Sequence, residues 1–185
     1  MSNLNHFYKK ANPLDKLDVS GGIQRAVESI ARAMGIMNQK FETAETLDPK
    51  ILGQRVHQEI TDASGKKTYD QDPVAYIDTS EYGSEDEVMK ALEAAKKGLE
   101  ETSKLMNQNI SENSDPKEIS EYIQKLMASL KQIDENYSVL LEIAKTVAHE
   151  ALGHKQDAPG AKPHDESYAQ AVEEREGKKF NEQVM

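Results

Sequence analysis

The chain has 185 residues, with 33 acidic against 23 basic side chains and a formal charge of −10. Such a length suits one domain around one core, and an acidic excess spread along the chain argues against nucleic-acid phosphates and anionic membranes as partners. There is no cysteine, so disulfides and thiolate metal sites are excluded and any metal must be held by His, Asp or Glu.

Residues 1–19 mix Asn, Lys and Pro13 without periodicity and read as an irregular N-terminal arm. The start lacks the apolar stretch of a signal peptide, and no apolar run approaches a membrane span. The expectation is a cytoplasmic protein, or one exported by a route without a cleaved signal peptide. A first helix is predicted after Ser20, where Ile23, Val27, Ile30 and Met34 recur at helical spacing. It should end at Gly35 or near Phe41.

Between 54 and 80 the pattern changes. "RVHQEI", "KKTYD" and "VAYIDTS" are short β-prone runs punctuated by turn residues, with Gly65 suited to a positive φ, and they predict a small, mostly antiparallel sheet. From Ser84 onward the pattern is helical. Ser84 with Glu87 forms a capping box, and Val88, Leu92, Ala95, Leu99 and Met106 make an apolar stripe. Asp115 as N-cap with Pro116 at the first position restarts a helix carrying Ile119, Ile123, Leu126, Leu130 and Ile133. These two stripes predict an antiparallel helical hairpin over 84–133.

A third long helix is expected over about 136–154, with Leu140, Ala144, Val147 and Ala151 toward the core. A loop containing Pro159, Gly160 and Pro163 follows, then a short helix "ESYAQAVEEREG" and a polar tail, 177–185. The fold class expected is α+β, mainly helical, with one domain over 20–176.

"TVAHEALGHKQD", 146–157, carries the chemistry. His149, Glu150 and His154 form H-E-x-x-x-H, one residue longer than the H-E-x-x-H of zinc peptidases. At about 100° per residue, five-residue spacing separates the two imidazoles by about 140°, whereas four-residue spacing leaves them about 40° apart. A metal site therefore requires a π-bulge or an early helix end within 149–154, and Gly153 eases either. Two imidazoles and one carboxylate leave zinc an open position for water. Glu166, first in the next helix, is the favoured third ligand because a helix start holds it rigidly. Asp157 and Asp165 are alternative carboxylate ligands, and His164 is an alternative ligand or oxyanion donor.

The six residues "HEALGH" resemble the HELLGH motif of the dipeptidyl peptidase III family, differing only at Ala151. Microcin-maturation proteases also use an H-E-x-x-x-H helix, and "ESYAQA" is similar to the Glu-bearing helix of compact gluzincins. What the resemblance implies is a zincin-like metal-binding helix, with zinc on His149 and His154, Glu150 as general base, a downstream glutamate as third ligand, and a peptide or protein substrate. The same residues carry a rival reading. If the heptad from Leu140, Ala144, Val147 and Ala151 continues undistorted, His154 falls on the apolar seam while His149 points to solvent. The chain is then a noncatalytic helical protein, for example an assembly subunit or partner-binding module. A degenerate peptidase without metal is the third reading.

Overall fold

The computed structural model describes residues 17–44, 52–56, 59–69, 73–108, 110–111, 114–154 and 165–184. The architecture is α+β and mainly helical. Among the described residues no helix is long and apolar enough to cross a membrane.

Helix α1 (Gly22–Ala33) buries Ile23, Ala26, Val27 and Ile30, the stripe its spacing predicts. Strand β1 (Lys40–Thr43) follows. It is unpredicted, because a single apolar residue, Phe41, has no period to reveal. Strand β2 (Gly53–Val56), the β3–β4 hairpin (Glu59–Thr61 and Lys67–Tyr69) and β5 (Val74–Ile77) complete the strands. The main sheet has the order β1-β5-β2, with β5 parallel to β1 and antiparallel to β2, while β3 and β4 form a separate antiparallel pair. "RVHQEI", one strand by its pattern, is therefore divided between two sheets. Its ladder with β5 ends at Val56↔Val74, where β5 itself begins after Pro73.

The two edges of the main sheet differ. At β1 the Gln24 side chain from α1 donates to the Phe41 carbonyl at 2.7 Å and accepts from the Thr43 N–H at 2.9 Å. This amide occupies the groups that a further strand would bond. At β2, the Asp78 N–H donates to the Leu52 carbonyl at 2.7 Å. Antiparallel pairs alternate between bonded and non-bonded, so the register turns the main-chain groups of Gly53 and Arg55 away from β5.

Helix α2 (Glu85–Met106) begins with the reciprocal Ser84–Glu87 capping box. Its apolar stripe closes with Leu105, which is buried, rather than Met106, which is 74% exposed. Helix α3 (Pro116–Ala148) opens with the Asp115 side chain accepting from the Lys117 N–H. No break separates it from the third helix predicted from 136. Asn136 donates its side-chain amide to the Gln132 carbonyl at 2.8 Å and stays inside one uninterrupted helix,. Its 33 residues reach about 50 Å. The first half packs along α2, and the second enters the core through Ile133, Tyr137, Leu140, Ile143 and Val147.

Helix α4 (Glu166–Val184) corrects both the short last helix and the polar tail. Phe180 and Val184, four residues apart, join the core and carry the helix through the segment whose charges suggest a tail.

Candidate metal centre

At the end of α3 the α-helix gives way. Residues His149–Gly153 form a π-turn, in which the His154 N–H donates to the His149 carbonyl at 3.1 Å. A π-turn absorbs one extra residue, and the two histidines, splayed on a regular helix, come onto one side. Their Nε2 atoms lie 3.1 Å apart, with ring centroids 4.9 Å apart and planes crossed at 66°.

Helix α4 packs onto the turn at Gly153. A Cβ there would stand 2.6 Å from the Ala169 Cα and 2.7 Å from its Cβ, so only glycine permits this approach. The contact lays the start of α4 over the histidines. Glu166 Oε1 is 3.4 Å from His149 Nε2, and its Oε2 is 3.6 Å from His154 Nε2. Among the described residues, His149, His154 and Glu166 offer ligand atoms that all lie within 4.8 Å of one another. Asp165 has another task, its Oδ1 accepting from the Tyr168 N–H at 3.2 Å at the start of α4. Asp157 and His164 lie outside the described residues.

Glu173 is the carboxylate the motif does not reveal. It stands two turns beyond Glu166 on the same face of α4, and its Oε2 is 2.9 Å from His149 Nδ1. The seven-residue spacing of Glu166 and Glu173 was the available signal. Burial works against a charged His149, but the Glu173 hydrogen bond and the charges of Glu150, Glu166 and Glu173 outweigh it and raise its pKa. The same hydrogen bond to His149 lowers the pKa of Glu173, against the effect of its own burial. With Nδ1–H donated to Glu173, His149 presents Nε2 as a lone-pair donor to the cluster.

Glu150 faces β2 and is only 3% exposed. Burial pushes its pKa up to about 7; the His149 charge opposes this, the Glu166 charge adds to it, and the Arg55 side chain and main-chain N–H oppose it. Its Oε2 is buried without a hydrogen-bond partner among the described residues. A cavity of about 500 Å³ lies here, with His149, Glu150, His154 and Glu166 among its walls and the consecutive residues 52–55 opposite. Leu52 and the three strand residues that follow it can line one space only along the edge of β2, since alternate side chains of a strand point to opposite faces,.

The donor set fits a tetrahedral cation. Zinc bonds of 2.0–2.1 Å place neighbouring ligand atoms roughly 3.3 Å apart; the two Nε2 atoms are 3.1 Å apart, Glu166 brings one carboxylate oxygen to 3.4 Å from His149 and the other to 3.6 Å from His154, and one atom from each residue lies within 4.8 Å of the others. Two imidazoles and one carboxylate are the residue types of a hydrolytic zinc site. Comparison with protein-family models, curated proteins and solved structures finds no match to this chain.

Proposed function

We propose that the chain is a zinc-dependent peptidase, with His149, His154 and Glu166 as metal ligands and Glu150 as general base. The observation that supports it best is the approach of the two Nε2 atoms to 3.1 Å across a π-turn, with Glu166 facing both. An apolar seam needs no such distortion. Zinc bound by these three residues supplies a Lewis acid that acidifies water and polarises a carbonyl. Glu150, desolvated and with one carboxylate oxygen unpartnered, is suited to take a proton from water and return it to a leaving amine. Glu173 holds the His149 ring and its tautomer. An extended peptide laid along β2 would meet the main-chain groups of Gly53, which point away from β5, and strand addition is an established way to hold such a substrate.

The second reading, a noncatalytic partner-binding protein, draws on α3. Ile123, Met127 and Leu130 are 48%, 66% and 46% exposed and follow one another at helical spacing,. Tag-free protein decides between them. The peptidase reading expects about one zinc per chain after dialysis and cleavage of a mixed peptide library by wild type. Glu150→Gln should keep the zinc and lose cleavage, and His149→Ala should lose both. Absence of zinc, or full activity of Glu150→Gln, overturns the reading.

A further inference from the structure

The position of Glu150 is set from outside its own helix. We infer that Gly53 and Arg55, on the edge of β2 turned away from β5, are positioning residues that hold the Glu150 carboxylate against the strand. The inference rests on the peptidase reading for its catalytic consequence, but its geometry stands apart from the metal.

Three observations converge. First, Gly53 lies flat against the side chain: a Cβ at Gly53 would stand 2.6 Å from Glu150 Cγ, 2.8 Å from Oε1 and 3.0 Å from Cδ. No β-carbon fits there without moving the carboxylate. Gly53 pairs with Ile77 in a regular ladder, and glycine ordinarily weakens a strand; close approach of a neighbouring group supplies the reason for one here. Second, the Arg55 main-chain N–H, one of the groups that the β2–β5 register turns outward, favours the charged form of the Glu150 carboxylate. Third, the Arg55 guanidinium donates to the carbonyls of Glu150 and Ala151 at 3.5 and 3.3 Å. One strand residue thus acts on both the side chain and the main chain of the π-turn.

The consequence is a division of labour. Helix α4 fixes the histidine side of the site through Glu166 and Glu173, whereas β2 fixes the base. A change in β2 should therefore disturb proton transfer while leaving the metal in place. Glu150 packs on Gly53 at this edge, so the base sits directly beside the strand along which an extended substrate would lie.

The test is a double-mutant cycle on full-length protein with Gly53→Ala, Glu150→Ala and both. Thermal unfolding is measured after chelation, zinc affinity by competition with a chelating dye, and kcat and KM on a peptide that wild type cleaves. Gly53→Ala is expected to lower Tm by roughly 5 °C in the wild-type background and by much less where Glu150 is already Ala. Its zinc affinity should stay within about threefold of wild type. Its kcat should fall about tenfold or more with KM little changed, the mark of a mispositioned group rather than lost binding.

An equal Tm loss in both backgrounds overturns the inference, as does a Gly53→Ala enzyme with wild-type kcat. If wild-type protein binds no zinc or cleaves no peptide, the peptidase reading falls. The chelated unfolding cycle then decides by itself whether β2 holds Glu150.

Discussion

His149 and His154 are separated by five positions, yet their Nε2 atoms meet at 3.1 Å. Two neutral imidazoles at this distance share one hydrogen, whereas a cation between them would take a lone pair from each. Adding zinc to the chelated protein should therefore raise Tm in a concentration-dependent way, by the equivalent of about 2.7 kcal/mol at a hundredfold excess over Kd. His154→Ala should abolish the rise. Calorimetry across a zinc titration checks both, and an unchanged Tm would contradict the ligand assignment.

Gly153→Ala tests the seat of α4. The new Cβ would collide with main-chain as well as side-chain atoms of Ala169, and neither can swing aside as a long side chain would. The helix must shift, carrying Glu166 and Glu173 with it. The expected cost is about 1–3 kcal/mol of stability, with zinc affinity lowered at least about tenfold, the lower end of the loss seen when outer partners are disturbed. Urea unfolding and competitive zinc titration measure the two effects separately.

Glu173→Ala should act on the metal without touching it. Removing the acceptor from His149 Nδ1 releases the tautomer that presents Nε2, and outer-shell losses of this kind cost about 10–100-fold in metal affinity. Glu173→Gln keeps a carbonyl acceptor but not the charge, so its affinity should lie between wild type and Ala. A Glu173→Ala variant with undiminished affinity would show that the 2.9 Å contact does not orient the ring.

Without metal, Glu150 makes stability depend on pH. Its folded pKa is about 7 against an ordinary 4.5. A carboxyl group raised in this way binds its proton more tightly when folded, so stability is lost as pH rises from about 4.5 through about 7. The raised pKa of His149 acts in the same direction, its stabilisation being present below the unfolded value and lost as pH rises through the folded one. Glu173, lowered, acts oppositely and loses its contribution as pH falls. Glu150→Gln isolates the first term. In chelated protein it should match wild type near pH 4.5 and exceed it at pH 8 by up to about 3 kcal/mol, as read by urea unfolding at the two pH values.

Local chemistry made part of the molecule legible in the sequence. The Ser84–Glu87 box, the Asp115–Pro116 start and the stripe of α1 each depend on residues within a turn or two of one another, and each stands where its pattern places it. Helix geometry requires a wide turn within 149–154 only where both histidines hold one metal, an undistorted helix being the rival reading, and the candidacy of Glu166 follows from its place as the first glutamate after the loop. What lay beyond reach depends on distant partners. Phe41 becomes a strand residue only because β5 runs beside it, and Phe180 and Val184 prolong α4 only because the core receives them. Gly53 and Arg55, some 95 positions from Glu150, carry no local sign of their place at the site.

Gln24 closes one edge of the sheet to growth. Its amide completes the hydrogen bonding of β1 at Phe41 and Thr43. In the language of polymers, this side chain is a chain terminator: a strand from a second copy would find the Phe41 carbonyl and the Thr43 N–H already bonded. Loss of the Gln24 amide would free both groups and make β1 a template for pairing with another copy.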